Sequence, residues 1–439
     1  MAIADLMDKL VSLSKRRGYV FQSSEIYGGT GSVWDYGPLG VELKRNIKER
    51  WWSSMVHRRA DIEGLDAAIL MHPSVWEASG HVEGFTDPLV ECTNCHRRFR
   101  ADLPEIEGGQ CPTCGTREAL TEPRMFNLMF KTFMGPVEDS SATVYIRPET
   151  AQGIYVNFLN VQGAARQKVP FGIAQIGKAF RNEITPGNFI FRTREFEQAE
   201  MQFFVKPGDD ETCFESWMET RMQWHKDLGI REEKLRFHEH GPDELAHYAK
   251  KAYDIEYEFP FGWKEFEGIH NRTDFDLARH QEYSGKRLEY IDAVSNERFI
   301  PYVVETSMGV DRTTLVVLAD AYREEELEGD TRVMLALNPA LAPIKAAVFP
   351  LVKKNGMPEM AQKLSEELRS AAIPSFYDQS GAIGRRYRRQ DEIGTPWCLT
   401  VDGESAESND LTIRDRDSLK QVRVAIDKVI PWIRERLPA

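Results

Sequence analysis

The sequence predicts an α+β protein in two units: a large body organised around antiparallel strands, then a small α/β domain of about 100 residues. Two observations carry this. Residues 171–183 and 194–205 each alternate apolar and polar side chains, and Pro186-Gly187-Asn188 between them signals a hairpin with a long loop. After Asn338-Pro339 the character changes: short apolar runs at 344–352, 375–377, 396–401 and 411–415 alternate with helical patterns at 358–371 and 419–437. The boundary therefore falls near Leu341, giving units 1–340 and 341–439.

The elements of the first unit follow in order. Ile3, Leu6, Leu10 and Leu13 lie on one face of a helix that stops at Lys15-Arg16-Arg17-Gly18. Leu39, Leu43, Ile47, Trp51 and Met55 define a second, longer amphipathic helix over Leu39–Val56. An apolar strand is predicted at Asp66–Met71, ended by His72-Pro73. Residues 88–122 read as an insertion, and the acidic stretch 207–260 as a second, helical one. Tyr302–Ser307 reads as a strand running into a helix that buries Leu315, Leu318, Ala319 and Tyr322.

With 56 basic against 69 acidic side chains, a net charge of −13, 28% charged and 41% hydrophobic residues, the 439-residue chain has the balance of a folded protein. The acidic total argues against a general nucleic-acid coat but leaves room for a local basic groove. The longest apolar runs, such as Leu315–Ala319, fall far short of a bilayer span, and the N-terminus carries a helix pattern in place of a signal peptide. The expected location is cytoplasmic, with no membrane partner.

Four of the six cysteines form Cys92-x-x-Cys95 and Cys111-x-x-Cys114. This is zinc-ribbon spacing: each turn presents two thiolates, and two turns complete a tetrahedron. Four sulfur ligands leave no open position, so a structural Zn²⁺ is expected; two disulfides are the alternative, which a reducing cytosol disfavours. Cys213 and Cys398 read as ordinary buried thiols.

The hairpin offers a ligand surface. Strand side chains alternate with period two, so Arg181 and Glu183 point one way, and Arg192, Arg194, Phe196, Gln198, Glu200 and Gln202 share a face. Ala199, Met201 and Phe203 lie on the other, with Glu195 and Glu197. Arginines bind phosphate bidentately, a flat ring stacks on a base, and carboxylates accept from amines; the competing reading is a solvated outer face. Further on, Glu305 and Ser307 share a strand face, and Gly309 and Arg312 open the next helix, a phosphate site by dipole and geometry. There is no P-loop, Rossmann or kinase signature. In the second unit, Arg385-Arg386-Tyr387-Arg388-Arg389 is either a surface for splayed RNA bases or a solvated helix face balanced by Asp391 and Glu392.

Phe180-Arg181-Asn182-Glu183, the run Phe191-Arg192-Thr193-Arg194-Glu195-Phe196-Glu197-Gln198-Ala199-Glu200, and Gly309-Val310-Asp311-Arg312 resemble motifs 2 and 3 of the class II aminoacyl-tRNA synthetases. The helix Leu39–Val56 with Pro73 beyond it resembles motif 1, the dimerisation element. Arg147-Pro148-Glu149-Thr150-Ala151-Gln152-Gly153, Phe99-Arg100-Ala101-Asp102 and Glu305-Thr306-Ser307-Met308-Gly309 narrow the resemblance to the homodimeric glycyl-tRNA synthetases, over essentially the whole chain. The C-terminal unit is similar to the anticodon-binding domain of the glycyl, histidyl, prolyl and threonyl enzymes.

The resemblance implies a six- to seven-stranded antiparallel catalytic sheet with flanking helices, and ATP-dependent attachment of glycine to tRNA(Gly) through a glycyl-adenylate. It implies that Arg181, Glu183 and Arg312 are catalytic. Arg181 would hold the α-phosphate, Glu183 would read the adenine amino group and Phe196 would stack on the ring. Arg192 and Arg312 would neutralise the outer phosphates; Asn182, Phe191, Gly309 and Glu265 with Phe266 would complete the ATP pocket, with Mg²⁺ nearby. Glu149, Glu200 and Glu305 would hold the glycine ammonium, with Arg100, Ser307, Gln198, Phe196 and Gly309 closing the small pocket. Three carboxylates exceed what one ammonium needs, which leaves one for an Arg or for Mg²⁺. Two rivals are a non-catalytic synthetase-like nucleic-acid-binding factor, which would lose the ATP residues retained here, and a synthetase for another amino acid.

Overall fold

The computed structural model describes residues 3–246, 248–327 and 329–437. Helix α1 (Ile3–Arg17) ends at Gly18, whose φ of 76° suits only a residue without a side chain. Helix α2 (Pro38–Trp52) starts with Pro38 in its first turn and buries Leu43, Ile47 and Trp51; a π-turn over Ser53–His57 extends it and buries Met55. Its packing against the preceding segment is so close that a Cβ on Gly40 would lie 1.8 Å from the Tyr19 carbonyl oxygen.

The strand expected at Asp66–Met71 lies a few residues earlier. Strand β1 is Ile62–Gly64, paired in parallel with residues 172–174. The segment after it makes a single bridge, Leu70 to Ile146. Side chains do the ladder's work there: the Ala67 amide donates to Gln175 Oε1 at 2.5 Å, and Arg147 donates to the Ala67 carbonyl at 2.8 Å. The apolar residues that suggested a buried strand, Ile69 and Leu70, are exposed.

The site is built from α3 (Ala151–Val156), β2 (Phe171–Phe180), β3 (Glu195–Val205), α4 (Asp210–Asp227), β4 (Leu235–Glu239), β5 (Lys251–Phe259), β6 (Gly262–Thr273), β7 (Tyr302–Gly309) and α5 (Val310–Ala321). Seven strands form one sheet in the order β4-β5-β6-β7-β3-β2-β1, antiparallel throughout except for β1. The helical insertion expected over 207–260 is one helix followed by two strands of this sheet. Tyr253, Ile255, Tyr257 and Phe259 alternate with Asp254, Glu256 and Glu258, and that period of two, masked by the acidic composition, is what puts β5 in the sheet. Ala199, Met201 and Phe203 face α2, α4 and α5, where they join Ile47, Trp217, Trp224 and Leu315 in the main core. The opposite face is polar over Gln198–Gln202, and beyond that Phe204 packs with Phe158 and Phe171.

Residues 86–127 make a small three-stranded sheet (Arg98–Arg100, Thr86–Glu91, Arg124–Asn127) that carries the cysteine knuckles. The C-terminal elements are β8 (Ala346–Pro350), α6 (Met357–Ser370), β9 (Ser375–Tyr377), α7 (Ile383–Glu392), β10 (Trp397–Val401), β11 (Asp410–Asp415), β12 (Gln421–Ala425) and α8 (Val429–Arg434). They form a mixed sheet ordered β9-β8-β10-β11-β12 over its own core of Val348, Leu364, Leu368, Leu399 and Ile433. The helix expected over 419–437 covers only its end, because Val422 and Val424 alternate with polar neighbours and pair as an edge strand with β11.

On α7 the arginine run divides. Arg386 is buried and donates to the Pro350 and Leu351 carbonyls, Arg389 pairs with Asp378, and Tyr387 bonds Thr400; Arg385 alone of the four is exposed. Asp391 and Glu392 do not balance this run: Asp391 is buried against Arg332 and Arg414, and Glu392 binds Arg17. Among the described residues, no helix is long and apolar enough to cross a membrane.

Candidate active site

Strand register assembles the floor of the site. Gln175, Glu200, Ser307 and Gly268 stand side by side across β2, β3, β7 and β6; one step along, Gln202, Glu305 and His270 form the next row. Directly opposed residues share a face, so this sheet face presents carboxylates, amides and a hydroxyl to one cavity of about 290 Å³. Arg181, Glu183, Phe191, Arg192, Phe196, Gln198, Glu265, Gly309 and Arg312 line it, together with Glu149, Glu200, Glu305 and Ser307.

At the outer end, the Arg181 guanidinium lies 5.3 Å from the ring of Phe196 and 5.3 Å from that of Phe85, and its Nε donates to the Pro148 carbonyl at 3.0 Å. Arg312, in the first turn of α5, sits 4.5 Å from the Phe191 ring and donates to Glu265 Oε2 at 2.9 Å and to the Phe191 carbonyl at 3.2 Å. Behind it, Asp311 Oδ1 receives Lys44 of α2 at 2.7 Å, and Asp311 Oδ2 receives the Glu197 amide at 2.6 Å, which fixes α5 to β3. Two acceptors in the cavity wall have no hydrogen-bond partner although they are buried: Glu183 Oε2 and Gln198 Oε1. Buried polar atoms are ordinarily paired, so both are placed to receive a donor from a ligand.

At the inner end three carboxylates converge. Glu305 receives Arg272 at 3.2 Å, His270 Nδ1 at 2.9 Å and Gln202 at 2.6 Å. Glu149 receives Gln152 at 2.9 Å and has His81 Nε2 at 3.5 Å. Glu200 is bonded by neutral groups: the hydroxyls of Thr150 and Ser307, the latter at 2.6 Å, and the Gln198 amide at 3.1 Å.

Residues 132–321 match the family described as tRNA synthetase class II core domain (G, H, P, S and T), and residues 345–436 match the anticodon binding domain family. A glycine–tRNA ligase of Treponema denticola is 58% identical over 98% of this chain and 97% of its own length. Those of Thermobifida fusca and Caldanaerobacter subterraneus are 54% and 53% identical over at least 99% of both chains. The chain belongs to the glycine–tRNA ligase family.

Within this ligase-family site, electrostatics separate the three carboxylates. Burial opposes the charge of Glu305, but Arg272 and His270 outweigh it and hold the group at about 2. Burial likewise opposes Glu149, and His81 brings it below the usual carboxylate range. Glu200 goes the other way: burial, then the charges of Glu305 and Glu149, push it up to about 8. The surplus of negative charge expected from the sequence is thus met in part by the protein's own Arg272, paired with Glu305.

Three residues expected in the site lie elsewhere, and Arg194 also leaves the shared hairpin face. Phe266 points into the core on the far side of the sheet, 1% exposed, with its ring 4.5 Å from His225. The cause is a β-bulge: Ile255 opposes Glu267 but Glu256 opposes Glu265, which leaves Phe266 as the extra residue. Asn182 donates its amide to the Leu128 carbonyl beyond the end of β2 and does not line the cavity. Arg100, on the knuckle sheet, pairs with Asp87 at 3.1 Å and Asp102 at 2.6 Å; it feels Glu183 at the outer end and stands away from the three carboxylates. Arg194 donates to the Gly31 and Glu183 carbonyls, because the strand begins only at Glu195 and the alternation does not reach it.

The same bulge hid residues that do line the cavity. Glu265 faces it as an odd position, whereas Gly268, His270 and Arg272 face it as even ones, a change of phase no simple alternation reveals. Arg272 is fully buried between Asp276 (2.8 Å) and Glu305, beneath the Tyr248 ring at 3.8 Å. Gly268 makes room for His270: a Cβ there would meet the imidazole at 2.6 Å. Gly268→Ala is therefore expected to push His270 off Glu305 and weaken glycine binding about tenfold, roughly the loss of one charged hydrogen bond, with ATP affinity unchanged; titration of the variant with each ligand checks this.

Proposed function

We propose that this protein attaches glycine to tRNA(Gly) in two ATP-dependent steps, as a glycine–tRNA ligase. The observation that carries the reading is one continuous cavity of about 290 Å³ with flat rings and guanidiniums at its outer end and three carboxylates around its inner end. In the first step a glycine carboxylate oxygen attacks the α-phosphorus of ATP and pyrophosphate leaves. In the second, a hydroxyl of the terminal tRNA ribose attacks the acyl carbon and AMP leaves.

No protein nucleophile is needed; alignment and neutralisation of phosphate charge are. Arg181 meets the α-phosphate, Phe196 stacks on the base with the Arg181 guanidinium alongside, and Glu183 Oε2, which accepts no hydrogen bond from the protein and has Arg192 at 3.8 Å, accepts from the adenine amino group. Arg192 and Arg312 take the outer phosphates, with Glu265 holding Arg312 in place. Mg²⁺ arriving with ATP would add neutralisation of the outer phosphate oxygens, with the Glu265 carboxylate at that end of the cavity. Glu149, Glu200, Glu305 and Ser307 receive the ammonium. Every competing amino acid is larger than glycine, so close walls suffice to exclude it.

Residues 1–340 act in this reading as the catalytic unit and 341–439 as the anticodon-binding unit, of which 438 and 439 lie outside the described residues. The Sγ atoms of Cys92, Cys95, Cys111 and Cys114 lie within 4.8 Å of one another, which fits a closed four-thiolate Zn²⁺ site. A homodimer through the α2 region fits the exposed Val41 on that helix. The expected location is the cytoplasm.

The decisive assay is ATP–pyrophosphate exchange with each amino acid offered separately. Signal with glycine alone is expected; signal with a different amino acid, or with none, overturns the assignment. For the knuckles, the parent protein is expected to carry one zinc per chain by metal analysis. A Cys92→Ser, Cys111→Ser double variant should melt at lower temperature and lose more tRNA charging than pyrophosphate exchange.

A further inference from the structure

Each inner carboxylate has been accounted for except in one respect: what compensates the charge of Glu200. It is 2% exposed. On its own strand it meets Gln198 and Gln202; from β2, Gln175; from the turn before α3, Glu149 and Thr150; from β7, Glu305 and Ser307; and from β6, His270 and Arg272. The basic groups around the inner end are engaged by other acids. Arg272 is held by Asp276 and Glu305, His270 by Glu305, and His81 by Glu149. Arg147, which lies within electrostatic reach, donates to the backbone carbonyls of Lys178 and Ala67. Glu200 itself touches two hydroxyls and an amide, none of them charged, and either hydroxyl can also accept from the acid.

We propose that Glu200 stands as a neutral acid in the empty site and surrenders its proton to solvent when the glycine ammonium enters, so that binding of glycine releases one proton. The bookkeeping balances: a carboxylic acid and an ammonium zwitterion become a carboxylate–ammonium pair plus one hydron in water, and no electron moves. The proposal rests on the reading of this cavity as a glycine site. It gives the site a means of distinguishing glycine from neutral or anionic small acids beyond size. A ligand without an ammonium leaves the proton in place and gains no ion pair.

The sign of the pH dependence follows. Below the value of about 8 to which burial and the neighbouring acids raise Glu200, glycine must displace a proton; above it, it need not. Glycine affinity, expressed on the ammonium form, is thus expected to rise about tenfold between pH 7 and pH 9 and then level off. Calorimetric titration of the full chain with glycine, in phosphate and in Tris at each pH, counts the protons directly. Close to one should be released at pH 7 and almost none at pH 9, and glycolate should release none at either.

Glu200→Gln should bind glycine more weakly, with a flat pH profile. A glycine affinity independent of pH and heats independent of buffer would overturn the proposal while leaving the glycine reading intact. So would a slope that survives in Glu200→Gln, since a different group would then carry it. Folded protein that binds no glycine at any pH would remove both.

Discussion

Arg312→Ala is expected to lower glycine-dependent pyrophosphate exchange by about 10²–10³-fold, the cost typical of losing one preorganised donor at a developing charge. The position makes the loss specific. Arg312 stands in the first turn of α5, where the helix dipole already favours an anion, and its guanidinium is aimed by Glu265 Oε2 and by the Phe191 carbonyl. On the proposed reading, removing it deletes a phosphate ligand without opening the core, because the Asp311–Lys44 pair that anchors the helix remains. The melting temperature should therefore stay close to the parent's. Arg312→Lys should recover only part of the rate, since a single ammonium cannot reproduce the forked geometry. A variant with full exchange activity would show that this end of the cavity does not hold the triphosphate.

Arg272→Met is expected to have the largest effect on stability, about 3–5 kcal/mol, because it strands two buried acids at once. Asp276 and Glu305 now share one guanidinium at 2.8 and 3.2 Å. Without it, Glu305 loses the largest of the influences that oppose its burial and moves up from its depressed value, with His270 as its remaining basic neighbour. Glycine affinity should fall with it, since the ammonium would then face fewer charged oxygens. Urea unfolding measures the first effect and ligand titration the second; an unchanged unfolding midpoint would contradict the burial of an ion pair at this point.

Much of the fold was legible where a simple period held. The hairpin of β2 and β3 and the β7–α5 junction alternate regularly, and Phe196, Gln198, Glu200, Ser307 and Arg312 could be read directly as residues sharing one surface. The ends of β2 and β3 were less secure: Asn182 and Arg194 sit where the strands have ended and turn geometry decides direction. The strands β4 and β5 were hidden by composition, because a strand whose polar positions are acidic, as Asp254, Glu256 and Glu258 are, carries the charge of an exposed helix. His270 and Arg272 were beyond reach for another reason. Their face depends on the local count of residues opposite Ile255 and Glu256, which belongs to the pairing of two strands and to neither sequence alone.

The extra residue at Phe266 also bears on how the chain can vary. Ile255 already opposes Glu267 and Glu256 opposes Glu265, so a one-residue gap at Phe266 would leave an unbroken ladder, with Glu265, His270 and Arg272 still turned to the cavity and Glu267 still turned away from it. What such a shortened chain would lose is a ring from the interior beside His225 and the local kink of the strand, not the aim of its reacting groups.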